Sequence, residues 1–132
     1  NYRTSCPNWS GEVISKQDLE ANEEVSRDKC PPFSEAQHVP EKFRSLLADY
    51  KRSGYSRGHL CPAGNHQSVQ LHKDLTFELA SNIVPQEMSM NGCDWLRLER
   101  WVKTVIMSDE TDIQRCWIFS GPVYKPSFRA ND

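Results

Sequence analysis

Apolar residues recur at helical spacing in two stretches of the chain. Phe43, Leu46, Leu47 and Tyr50 fall at i, i+3, i+4 and i+7, and Pro40 stands just ahead of them. That pattern predicts a short helix over residues 41–50, packed on the core. A longer stripe is formed by Trp95, Leu98, Val102, Val105 and Ile106, at i, i+3, i+7, i+10 and i+11, and predicts a helix over about residues 91–107. Between the two, residues 55–61 read as extended until Pro62-Ala63-Gly64 forces a turn. Residues 67–80 fit both periods: Leu71, Leu75 and Leu79 are helical in spacing, whereas Leu75, Phe77 and Leu79 alternate. A helix through about Leu75 is the reading taken. Residues 81–86 form a short extended segment ended by Pro85, and 116–120 an apolar strand closed by Gly121-Pro122. The first forty residues read as strand pieces and loops, punctuated by Cys30-Pro31-Pro32-Phe33.

At 132 residues the length suits a single domain, 1–132, that buries about two thirds of its unfolded surface. The hydrophobic fraction is 37 %, and no run approaches the roughly 20 apolar residues of a membrane span. A soluble chain is expected. The net charge of −2 excludes a generally basic nucleic-acid-packaging protein, so any phosphate binding must be local. Cys6, Cys30, Cys61, Cys93 and Cys116 are odd in number and contain no Cys-x-x-Cys pair, so buried thiols are the default, one or two disulfides are the alternative in a secreted or mitochondrial intermembrane setting, and a zinc ribbon is not indicated. His59, Cys61, His66 and His72 likewise match no standard zinc spacing, and His38 reads as solvent-facing. The opening residues show no charged leader followed by an apolar run, so no signal peptide or presequence is expected in the chain as it stands.

The densest chemistry lies in Gly54-Tyr55-Ser56-Arg57-Gly58-His59-Leu60-Cys61-Pro62-Ala63-Gly64-Asn65. In an extended backbone Arg57 and His59 share a face. A guanidinium grips phosphate in a planar fork and an imidazole accepts a proton near neutral pH; Gly58 is expected to let substrate approach the backbone. Turning about 100° per residue along the second helix puts Asn91 near the centre of its apolar face and Glu99 on the flank, with Arg97, Arg100 and Lys103 on a solvated far side. Taken singly, Asn91 also fits a helix cap and Glu99 a partner for an arginine.

Ser56-Arg57-Gly58-His59, Asn82-Ile83-Val84-Pro85-Gln86, Asn91, Trp95, Glu99 and Ser120-Gly121-Pro122 together resemble the DNA/RNA non-specific endonucleases, in order and spacing, from about Arg27 to Pro122. The resemblance implies an α+β fold: a ββα-metal nuclease core with a mixed, mainly antiparallel sheet flanked by helices. The family's usual Asp-Arg-Gly-His begins here with Ser56, which resembles the exonuclease-G-like and endonuclease G branch. By the same resemblance His59 is the general base, Asn91 the protein ligand of Mg2+ (with Mn2+ as substitute) and Glu99 an orienter of water. Arg57 and Arg27 hold phosphate, and Ser56 and Asn82 lie on the substrate side.

The function implied is magnesium-dependent hydrolysis of phosphodiesters in DNA and RNA, leaving 5′-phosphate ends. The rival is a catalytically silent nucleic-acid-binding domain that keeps the fold. Family members continue well beyond the Gly-Pro strand end, so the C-terminal part of the domain is expected to be missing or on another chain. An apolar face around Trp117 and Phe119 then needs a partner, either a second copy as a homodimer or a separate C-terminal fragment. A mitochondrial location (intermembrane space or inner-membrane associated), or alternatively secretion, is implied by resemblance alone.

Overall fold

The computed structural model describes residues 1, 3–21, 29 and 31–123. Two antiparallel strand pairs carry the chain. The outer pair joins β1 (Ser10–Ser15) to β4 (Arg115–Ser120), with Ser10 opposite Ser120 and Ser15 opposite Arg115. β1 alternates as a half-buried strand should: Glu12 and Ile14 point inward, while Gly11 and Val13 face out opposite Phe119 and Trp117. Ser15 ends the strand and caps α1 (Lys16–Glu20), its hydroxyl accepting from the Asp18 N–H at 3.1 Å while Asp18 accepts from the Ser15 N–H at 3.0 Å. This reciprocal cap satisfies two orphan donors at once. The hydrogen bond from Ser15, joined by one from Ser68, holds the Asp18 carboxyl below its usual range. Apolar periodicity does not mark this helix, although Ser15-x-x-Asp18 is its signature.

The inner pair joins β2 (Ser56–His59) to β3 (Ile83–Gln86), with Ser56 opposite Gln86 and His59 opposite Ile83. A turn at Ala63–Asn65 and helix α3 (Gln70–Leu75) connect them, as the spacing predicted. Pro85 does not end β3. It stands exposed within the strand, opposite Arg57, at a position where the missing N–H costs nothing. Cys6, Leu60 and Val84 pack together beneath this pair, and Ile14, Phe77, Leu79, Ile83 and Ile106 are the largest fully buried side chains.

The helix expected over 41–50 is not formed. Short turns at Glu41–Phe43 and at α2 (Leu47–Tyr50) are separated by extended backbone at Arg44 and Leu46. The Arg44 guanidinium donates to the carbonyls of Val39 (2.7 Å) and Gln37 (3.0 Å), which fixes the chain where a helix would need to continue. Leu46 and Leu47 accordingly stay exposed rather than packing on the core.

The long helix is present, with one irregularity. Backbone turns begin at Met88, pass through a wider π-type turn at Met90–Trp95, and continue as α4 (Leu96–Met107). Glu87 caps its start, accepting from the Met90 N–H at 2.9 Å and from the Ser89 hydroxyl. The extra residue in the wide turn puts everything upstream out of phase with a regular wheel by about 100°. Of the predicted stripe, Ile106 is buried, but Leu98 is exposed. Among the described residues Cys6, Cys61, Cys93 and Cys116 are free thiols, and no helix is long and apolar enough to cross a membrane.

Candidate active site

β2 presents Arg57 and His59 on one face, and Phe33 receives both. The Arg57 guanidinium lies 4.3 Å from the centre of the Phe33 ring, and the imidazole of His59 lies 5.6 Å from it. Phe77 packs on an adjacent side, its ring nearly perpendicular to the imidazole at 5.1 Å. The two phenylalanines touch edge to face at 5.4 Å, a favoured aromatic geometry. Phe33 is held in place by the bridge at Ser34, whose N–H donates to the Phe77 carbonyl and whose carbonyl accepts from Leu79. Sequence reasoning took the Pro-Pro-Phe segment as punctuation and missed its ring as the platform of the site.

The backbone of His59 is fixed from two directions. Its carbonyl accepts from the Trp95 indole N–H at 3.0 Å, tying β2 to the wide turn of the long helix. Two residues on, the Asn82 side chain takes the Cys61 N–H at 2.8 Å and donates to the carbonyls of Cys61 and Thr76, both at 2.9 Å. Asn82 is buried, and its amide is committed to these backbone bonds. It positions the end of the motif rather than facing substrate.

Gly58 also has a different reason from the one expected. It is buried, and a methyl group on its Cα would stand 1.9 Å from the Gln86 Oε1 and 2.5 Å from its Cγ. Gln86 is itself buried, so the missing side chain makes room for a packed neighbour, not for a ligand. Ser56 is half-buried beside Arg57.

Asn91 sits inside the wide turn, half-buried, its N–H bonded to the Glu87 carbonyl at 2.9 Å. Glu87 does the capping, so Asn91 is not a helix cap. Among the described residues its side-chain amide makes no hydrogen bond. Glu99, two turns on, lines a cavity of about 380 Å3 together with Glu12, Asn65, Trp95 and Leu98. Burial pushes its carboxyl up, with Lys103 opposing and Glu12 reinforcing.

Lys103 is therefore not on a solvated face. It is half-buried, its ammonium donates to the Gly64 carbonyl at 3.0 Å, and burial lowers its pKa against the pull of Glu99. Arg97 and Arg100 are exposed as expected. Behind them Glu12, with 2 % of its side chain accessible, accepts from Asn65 at 2.9 Å and pairs with His66 at 3.0 Å. His66 is thus spent on a carboxylate, and no group of three or more His, Cys, Asp or Glu that would hold a metal occurs among the described residues. Burial, helped by Glu12, raises the Cys61 thiol to about 12 and leaves it an inert packing group. Arg27 lies outside the described residues.

The structure thus brings Arg57, His59 and Phe33 together and joins them through Trp95 to the turn that carries Asn91. Glu99 faces a separate cavity that shares no lining residue with the one beside Arg57.

The sequence matches the DNA/RNA non-specific endonuclease family over residues 1–131. The chain belongs to that family. Among similar nucleases are one from Syncephalastrum racemosum, 38 % identical over 96 % of this chain and 38 % of its own length, and the mitochondrial endonuclease G of Caenorhabditis elegans, 36 % identical over 99 % and 41 %. The mitochondrial nuclease EXOG of Danio rerio is 38 % identical over 91 % of this chain and 33 % of its own. A solved structure of endonuclease G in complex with EndoGI superposes with a TM-score of 0.84 at 34 % identity, over 95 % of this chain and 49 % of that one. The mixed helix and antiparallel-sheet fold expected of the family is therefore present, and the chain spans less than half the length of these nucleases.

Proposed function

We propose that this chain carries the reacting residues of a metal-dependent nuclease that hydrolyses phosphodiester bonds in DNA and RNA. The observation that carries this reading is the pairing of Arg57 and half-buried His59 on one face of β2 against Phe33. His59 takes a proton from the attacking water, a task suited to an imidazole because its ordinary pKa lies near 6.5. The two phenyl rings limit its rotation, and the Trp95 and Asn82 bonds fix the backbone beneath it. Arg57 holds a phosphate oxygen with its fork while its flat face rests on Phe33. Ser56 lies on the same rim, and Arg27 is assigned as a second phosphate contact. Backbone phosphates carry no base information, which accounts for a non-specific site.

The Asn91 amide fits a hard divalent cation: it is half-buried, offers an oxygen donor and is not engaged within the described residues. Mg2+ takes few protein ligands and keeps much of its water, and Mn2+ accepts the same oxygen set, so a lone amide suffices where a His, Cys or acidic cluster is lacking. When bound, such a cation stabilises charge on the phosphate and on the departing 3′-oxygen. Glu99 orients water in the cavity behind Trp95. Departure of the 3′-oxygen leaves 5′-phosphate ends.

The similar mitochondrial nucleases support a mitochondrial location, and the uncovered outer face of β1–β4 supports association with a second copy or a further segment. Plasmid and RNA cleavage with Mg2+, with chelator and with His59→Ala tests the reading. Cleavage that needs the cation, is lost in the variant and yields 5′-phosphate ends is expected. Cleavage indifferent to chelator or to the substitution would overturn it, and strand binding without cleavage in the parent would mark a silent binding domain.

A further inference from the structure

Tyr55 directly precedes β2 and stands two residues ahead of Arg57. Tyr55 is 53 % exposed. Beside it opens a cavity of about 470 Å3 lined by Phe33, Tyr50, Lys51, Tyr55, Ser56 and Arg57. The volume falls within the roughly 300–1,000 Å3 of small-ligand sites. Its walls bring three aromatic rings and two cations, with no carboxylate among them. A purely anionic ligand would need the cations alone, and an apolar one would strip water from them without pairing their charge. A flat, polarisable ring attached to a phosphate uses both.

We propose that this cavity is a nucleobase subsite, in which one unstacked base of a DNA or RNA strand lies on Tyr55 beside the phosphate held by Arg57. A base inside a paired helix has both faces covered by its neighbours, so the subsite favours single strands, frayed ends and nicks over intact duplex. Stacking reads no base edge, which keeps the site indifferent to sequence. The assignment rests on the proposed function in placing phosphate on Arg57, and it adds which form of nucleic acid reaches the histidine.

The test is equilibrium binding by fluorescence anisotropy, in the full chain carrying His59→Ala, of four labelled probes: a single DNA strand, the RNA strand of the same sequence, the DNA duplex and the DNA strand with abasic residues. Tyr55→Ala is expected to weaken binding of either single strand by about 5- to 100-fold, the range for loss of one aromatic–base stack, and to leave the duplex and the abasic strand unchanged. Tyr55→Phe should retain full affinity, and Tyr55→Leu, which keeps the bulk without the ring, should lose it. A loss confined to DNA or to RNA supports the subsite and identifies its strand. Equal loss on all four probes, no loss on any, or a parent that binds no single strand overturns it. Because the readout is binding, a His59→Ala protein that still cleaves would remove the catalytic assignment and leave the subsite standing.

Discussion

β2–β3 pairs four residues and β1–β4 pairs six, yet the shorter pair is the better enclosed. On the inner pair Gly58, Ile83, Val84 and Gln86 are buried, and Asn82 and Trp95 fasten its end by hydrogen bonds. On the outer pair Val13, Trp117 and Phe119 stand 48 %, 62 % and 69 % exposed, with Trp9 leaning on Phe119 at 5.6 Å. The outer pair alternates strictly, whereas consecutive Ile83 and Val84 are both buried in the inner one. What separates them is that the inner pair is closed on one face by its own core and exposed on the other only at Arg57 and Pro85, whereas the outer pair has a finished inner face and an apolar outer one. This exposed apolar patch is the feature on which the proposed association rests.

Substitutions on the two pairs should therefore differ in cost. Asn82→Ala should cost the most, about 3 kcal/mol, because it strands the Cys61 N–H and two carbonyls in a buried setting; denaturant unfolding would show it, and a midpoint close to that of the parent would deny Asn82 its positioning role. Gly58→Ala should cost about 1–3 kcal/mol through collision with buried Gln86. Gly11→Ala on the outer pair offers the contrast. Its added methyl meets the Phe119 ring edge at 2.9 Å and the Trp9 ring at 3.2 Å, both on largely exposed side chains with solvent to move into, so the change should stay within about 0.5 kcal/mol. Equal losses at the two glycines would mean that the pairs are enclosed alike. Trp117→Ser should also leave stability within about 0.5 kcal/mol while reducing self-association in sedimentation experiments; unchanged association would remove the outer face as the contact surface.

The smallest effect concerns Glu99. Its folded pKa is raised, by burial first, so the favourable contribution is complete below the unfolded value and is lost as pH rises through the folded one. Glu99→Gln, neutral at every pH, should match the parent in Tm below about pH 4 and exceed it slightly near neutrality. A variant that melts lower at neutral pH would show instead that the Lys103 attraction outweighs burial.

Much of the inner pair was legible because its signals are local. Alternation placed Arg57 and His59 together, the Pro-Ala-Gly turn stopped the strand, and the five-residue stripe from Trp95 to Ile106 located the long helix. Contacts between distant segments were not legible. Phe33 reaches Arg57 across 24 residues, Glu12 reaches Asn65 across 53, and neither stretch carries a local mark of its partner. The helix expected over 41–50 failed for the same reason, its periodicity overridden where Arg44 binds carbonyls upstream. Gly58 was correctly singled out for the wrong cause, since only the fold shows Gln86 above it. The wheel that placed Asn91 assumed a regular helix, and the wide turn at Met90–Trp95 leaves no sequence signature.

His59, fixed by Trp95 and packed against Phe33 and Phe77, is proposed as the general base. Single-turnover cleavage of a labelled oligonucleotide by His59→Ala, with Mg2+ saturating, tests it most directly. A loss of about 10²- to 10⁴-fold relative to the parent is predicted, with the melting temperature preserved. Cleavage by His59→Ala at the parent's rate would contradict it.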